Sequence, residues 1–288
     1  MLATHFWIRL RRDHVIAPTT EARRRVARTF FRLDHRRRLL AFGLADTHAH
    51  GLWLGDPRAA RDLARRLEQS LQRQLGLPVG FAPVDWEPVE RYFRLRNAFF
   101  YVLRQCRHHR LDVDPAFEGT NLPDLLGLRL HGGYGRELLR AALPRVHRPD
   151  LLGVMGVESL TPADGPLDGV RLATERALAI GTLTGRSQEV LLGRRAALAV
   201  LEARVAPIEA ARLLEISRVS VHRLRRRPVQ PALVAAIRGQ LGLMAALCRD
   251  TADGDPYRCR TRASKSDGAV VKRRVFQIPA VGRRTGEL

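Results

Sequence analysis

Cysteine, lysine and long apolar runs are the scarce features of this chain. Its 288 residues include 3 cysteines, Cys106, Cys248 and Cys259. They are too few and too scattered for a disulfide framework or a four-cysteine zinc site, and such usage fits a reducing cytoplasm. No run of about 18 apolar residues occurs, which excludes a spanning helix and sets a membrane partner aside. The opening stretch carries His5 and Arg9 and lacks the apolar segment and cleavage site of a secretory signal. Lys265 and Lys272 are the only lysines among 50 Lys+Arg residues, so the cationic charge is nearly all arginine. Against 29 Asp+Glu this leaves a formal charge of +21. A cation this strong seeks polyanions such as DNA, RNA or an acidic membrane, although a GC-rich genome also enriches arginine. The 45% hydrophobic content suffices for a core and excludes wholesale disorder.

Strand and helix signals alternate in the first 110 residues. Residues 4–10 read as a strand, and Thr19-Thr20 caps a helix to about Leu33 with Val26, Ala27, Phe30 and Phe31 as its apolar stripe. Residues 38–46 and then Thr47–Leu54 read as two more strands. Asp56-Pro57 starts a helix with Ala60, Leu63, Leu67, Leu71 and Leu75 in phase, stopping at Gly76. Residues 78–87 read as extended, and Pro88 opens a helix to about His109 with Val89, Phe93, Phe100 and Leu103 as its core stripe. This order predicts an α+β fold, with helices packed on a mostly antiparallel sheet. Residues 140–170, rich in Pro, Gly and Asp, read as a connection. From Val170 to Cys248 the pattern is helical, and 250–288 reads as a polar, basic tail.

His48-Ala49-His50 is the most informative tripeptide. Residues two apart on a strand share a face, so both imidazoles and the following Leu52 and Leu54 point one way. Two neutral imidazoles on one face can share a divalent ion, though His-x-His is also common without one. The helix after Pro88 is the candidate cover for that face. Tyr101 lies off its apolar stripe, among Arg94, Asn97, Arg104, Gln105 and His108 at helical spacing. A phenol so placed suits a nucleophile, and the arginines suit phosphate oxygens; a half-exposed tyrosine on a solvated face is the plainer alternative. Gln105 is one turn beyond Tyr101 and can supply an oxygen ligand beside the two imidazoles. Oxygen and imidazole ligands with open positions suit Mg²⁺ or Mn²⁺ on a phosphate. Tyr92 is the rival nucleophile, but it has Arg96 where Tyr101 has Gln105. His108-His109 reads as solvated surface or phosphate contact. Gly132-Gly133-Tyr134-Gly135 is too isolated to read as a nucleotide loop.

The stretches Leu-Ala-Asp-Thr-His48-Ala-His50-Gly-Leu-Trp-Leu and Phe-Tyr101-Val-Leu-Arg-Gln105-Cys-Arg-His-His-Arg-Leu resemble the single-tyrosine HUH transposases, most closely their REP-associated branch. Asp114-Pro115 through Arg129 resembles the stretch that follows in those proteins. Where the family usually has Asn-Pro, this chain has Gln105-Cys106. The resemblance spans about residues 1–130. It implies a ferredoxin-like antiparallel sheet and cleavage and rejoining of single-stranded DNA, in hairpin-containing substrates, through a 5′-phosphotyrosine on Tyr101. It further implies a divalent ion on His48, His50 and Gln105. Arg94, Arg104 and His108, spaced around Tyr101, are the candidate DNA contacts, and the sequence leaves open a homodimer as the active form.

The C-terminal half adds a second element. Ala206 through Leu224 reads as a helix-turn-helix, with Ile208, Ala211 and Leu214 inward, Ile216 buried at the turn, Ser217 as cap, and Val221 and Leu224 inward. Arg218, Ser220, His222, Arg223 and Arg225 are then left outward for duplex DNA. Glu215 stands where most such motifs have Gly. The expected division is a nuclease domain over 1–130, a linker over 131–169, an all-α helix-turn-helix domain over 170–248 and a flexible basic tail over 249–288. The alternative is a non-catalytic DNA-binding protein or regulator derived from a transposase.

Overall fold

The computed structural model describes residues 1–12, 14–111, 113–131, 133–161, 167–202 and 204–249. The expected tail lies, from residue 250 onward, outside the described residues. The elements are β1 Ala3–Arg9, α1 Thr20–Leu33, β2 Leu39–Leu44, β3 His48–Leu54, α2 Pro57–Leu75, β4 Asp85–Val89, α3 Tyr92–Leu103, α4 Gln105–His108 and α5 Leu122–Leu125. They continue as α6 Tyr134–Ala142, α7 Arg148–Met155, α8 Gly169–Leu178, α9 Gln188–Leu201, α10 Pro207–Leu214, α11 Arg218–Arg225 and α12 Pro231–Arg249. The fold is α+β, and its strands form one antiparallel sheet in the order β2-β3-β1-β4.

Local signals account for the first elements. The Thr19 side chain accepts from the Ala22 amide and caps α1, and Asp56 does the same for α2 through Arg58. Gly76, at φ 58°, ends α2 in the left-handed conformation that glycine adopts without strain. Strand alternation then sorts the sheet into two faces. Phe6, Ile8, Phe42, Ala49 and Trp53 enter one core with Val26 and Phe30 of α1 and Leu63 and Leu67 of α2. Ala3, Leu40 and Leu52 enter a second core with Leu95, Phe99, Val102 and Leu103 of α3. No helix among the described residues is long and apolar enough to cross a membrane.

Two expectations are corrected. Residues 131–169 are not a bare connection: α6 and α7 lie within them, and Leu139, Leu143, Leu151, Leu152 and Val154 complete the second core. Helices this short leave few periods to read, and the intervening Pro and Gly residues masked them. Phe93, expected in the core stripe of α3, is 54% exposed, while Leu95, Phe99 and Val102 are buried. Val89, assigned to the same stripe, is buried but belongs to β4.

Helices α8 to α12 enclose a third core. Buried polar bonds tie it to the sheet-bearing part. Gln240 on α12 donates to the Leu128 carbonyl at 2.9 Å. Glu118, in the loop before α5, receives Arg24 of α1 and Arg176 of α8.

Candidate active site

The second sheet face is apolar at one end and histidine-rich at the other. On β3, His48 and His50 point the same way as Leu52, while Ala49 and Trp53 point into the opposite core. The β1–β3 register sets Trp7 opposite His50 and Arg9 opposite His48. His5, Trp7, Arg9, His48 and His50 thus floor an open cleft of about 800 Å³, whose wall includes Arg94, Asn97 and Tyr101 of α3.

Gly43 makes this cover possible. A Cβ there would lie 2.0 Å from the Val102 carbonyl oxygen, so the C-terminal end of α3 reaches β2 only because residue 43 has no side chain. Gly43→Ala is expected to cost about 1–3 kcal/mol by overpacking and to push Tyr101 and Gln105 away from the histidines. Urea unfolding midpoints, read beside metal uptake, check this; wild-type stability in the variant would refute it.

The expected helix to His109 is interrupted at Arg104 (φ −92°, ψ 12°), where α3 ends and one-turn α4 begins. At the break the Arg104 amide donates to the Tyr101 carbonyl at 3.2 Å. Gln105 Nε2 donates to that oxygen at 3.1 Å, which pins the amide one turn from the phenol. Gln105 is fully buried, and Tyr101 is 40% exposed.

The four residues singled out by sequence meet within one chain. The His48 and His50 ring centres are 4.9 Å apart, and the Tyr101 ring stands edge-on to His50 at 5.5 Å. Burial pushes His50 down to about 2, with His5 and His48 adding to the effect. Burial, then His109, pushes His48 down to about 4, and the nearby Gln105 side chain pulls the other way. Both imidazoles are therefore neutral at pH 7, the form that donates a lone pair. Among the described residues no three His, Cys, Asp or Glu are arranged to hold a metal; the candidate set takes an amide as its third donor. The buried His50 Nε2 lacks any hydrogen-bond partner, and the buried Gln105 Oε1, on the side chain that adjoins His48, makes no hydrogen bond of ordinary geometry. Both are potential electron-pair donors, so the set fits a hard or borderline divalent ion.

Sequence reasoning missed three neighbours. His5 Nε2 lies 2.9 Å from His50 Nδ1. Trp7 flanks both, with ring centres 5.2 Å from His5 and 6.1 Å from His50. His109, read as solvated surface or phosphate contact, is exposed and also packs edge-on against His48 at 4.7 Å. The alternating His5-x-Trp7-x-Arg9 pattern marked one face of β1, but only strand pairing shows what that face adjoins.

The expected phosphate contacts are distributed around this centre. Arg94 lines the main cleft, and His108 stands edge-on to Tyr101 at 5.5 Å. Arg104 stacks on Phe100 at 5.3 Å and lines an adjoining cleft that also includes Tyr101. Tyr92 opens α3 and is not part of the main cleft. Tyr134 serves structure: its hydroxyl donates to Asp34 at 2.6 Å, at the end of α1. The Cys106 thiol is buried, donates to the Leu44 carbonyl, and is pushed up to about 12 by burial.

In the second unit, α10 and α11 follow each other across a tight turn. Ser217 caps α11 through the Ser220 amide, and Val221 and Leu224 are buried as expected. Ile208 is corrected: it is 68% exposed, and Ala210 takes the inward place beside Ala211 and Leu214. Ile216 is only partly buried. Glu215 adopts φ 52°, a conformation favoured by glycine, and pairs with Arg171 of α8. Arg218, His222 and Arg223 are exposed, while Ser220 and Arg225 are half-buried. No family model, curated protein or solved structure matches the chain.

Proposed function

We propose that this chain is a metal-dependent tyrosine nuclease and strand transferase for single-stranded DNA, of the single-tyrosine HUH transposase kind. One observation carries the proposal: the buried, unpartnered His50 Nε2 shares one cleft with His48 and the exposed Tyr101, and the buried Gln105 side chain adjoins His48. The strand order β2-β3-β1-β4, with helices after β1 and β3, supports a ferredoxin-like sheet beneath that site. The capped α11 following α10 supports a helix-turn-helix, with Arg218, His222 and Arg223 free to meet duplex DNA.

In this proposal His48, His50 and Gln105 hold Mg²⁺ or Mn²⁺. When bound, the ion supplies Lewis-acid neutralisation of charge on the scissile phosphate. The Tyr101 oxygen attacks phosphorus, forms a 5′-phosphotyrosine bond and releases the preceding strand as a 3′-hydroxyl. The phenol proton is lost as the new bond forms, and the departing 3′-oxygen gains one. Attack by a 3′-hydroxyl on the phosphotyrosine reverses the sequence and rejoins DNA without an external energy source. Arg94 and Arg104 bring guanidinium charge to the flanking phosphates. The four central side chains come from one chain, so the proposal does not require a dimer.

The test uses the full chain, Mn²⁺ or Mg²⁺, and a hairpin-containing single strand labelled 3′ of the cleavage point. A labelled protein band that survives denaturation is expected, and chelation of the metal by EDTA should eliminate it. A protein that binds this DNA but yields no such band with either metal would overturn the proposal and favour the non-catalytic DNA-binding alternative.

A further inference from the structure

We infer that His5 is a positioning residue that holds His50 in the Nδ1–H tautomer, leaving His50 Nε2 bare for a cation; this rests on the metal reading above. His5 lies on β1 diagonal to His50, since its direct partner on β3 is Leu52. The two rings are nearly parallel, at 17° with centres 5.1 Å apart, and both residues are more than nine-tenths buried. His5 Nε2 and His50 Nδ1 are 2.9 Å apart.

Two facing imidazole nitrogens at that distance need one proton between them. Two N–H groups would have no acceptor, and two bare nitrogens would have no donor. If His5 donates, the neutral His50 carries its proton on Nε2, a buried N–H with no acceptor. No acceptor for such an N–H lies within hydrogen-bond reach. If His50 donates, its Nε2 is a bare lone pair. A buried lone pair without a donor is what an incoming cation requires. Trp7 on one side and the edge of Tyr101, 5.9 Å away, restrict rotation of the His5 ring. The strand pair β1–β3, rather than the His-x-His tripeptide alone, thereby aims the ligand.

The test has two readouts. In the metal-free protein, ¹⁵N–¹H correlation of the imidazoles is expected to show His50 protonated on Nδ1 and bare on Nε2. In titrations with Mn²⁺ alone, His5→Phe keeps a ring but removes the acceptor, and should weaken binding about 10- to 100-fold. His5→Gln, which retains an acceptor oxygen, should recover most of that loss. A wild-type His50 protonated on Nε2 overturns the inference, as does Mn²⁺ binding by His5→Phe equal to wild type. Wild-type protein that takes up no Mn²⁺ sinks the metal reading and the inference together. Wild-type uptake with an indifferent His5→Phe sinks the inference alone.

Discussion

Tyr101→Phe should abolish the covalent protein–DNA band, with cleavage falling on the order of 10⁴-fold or more, the scale of losing a nucleophile. The substitution deletes one oxygen and keeps the ring that packs edge-on against His50 and His108. Residue 101 is 40% exposed, so no core contact is lost. Stability should therefore change by less than about 0.5 kcal/mol, and Mn²⁺ binding should persist. That combination separates lost chemistry from lost structure. Tyr92→Phe is the matched control and should retain the band, because Tyr92 lies outside the main cleft. A full-strength band from Tyr101→Phe would remove Tyr101 from the nucleophile role.

The second large effect is on stability. Glu118 is 3% exposed and accepts from Arg24 Nη2 at 3.3 Å and Arg176 Nε at 2.9 Å, with a further contact from Arg24 Nε. Arg24 also donates to the Ile180 carbonyl at 2.8 Å, so one carboxylate joins α1, α8 and the segment after it. Burial alone would raise the Glu118 carboxyl; the guanidinium charges of Arg24 and Arg176 outweigh it and hold the group below the ordinary carboxylate range. Glu118→Ala would leave buried Arg24 with only the more distant Glu175, at 3.8 Å, as counter-charge and would take the carboxylate from Arg176, at a cost of about 3–5 kcal/mol. For a chain of this size each kcal/mol lowers the melting temperature by about 2–4 °C. A thermal scan reads the difference directly, and an unchanged midpoint would show that the cluster carries little. The depressed folded value also sets a sign with pH. Glu118 adds stability at neutral pH, and that contribution is lost as pH falls through its folded value.

Legibility in the sequence followed the range of the forces involved. Alternation on β3 placed His48 and His50 on one face with Leu52, and caps at Thr19 and Asp56 with the stop at Gly76 bounded α1 and α2. These are effects of neighbours within a few residues. Phe93 and Ile208 were misassigned because an amphipathic stripe has a phase that only the opposing surface settles. Helices α6 and α7 were lost among Pro and Gly because each spans barely two turns.

By itself, then, the sequence determined the α+β order of the first half, the shared face of the two histidines and the one-turn spacing of Tyr101 and Gln105. Only the tertiary structure decided that His5, Trp7 and His109 surround those histidines, that Gly43 admits α3 to the sheet, and that Glu118 joins the two parts. The physical reason is that a repeat of 2.0 or 3.6 residues is written along the chain. Strand register and buried ion pairing depend instead on partners 45 and 94 residues away, which no local pattern encodes.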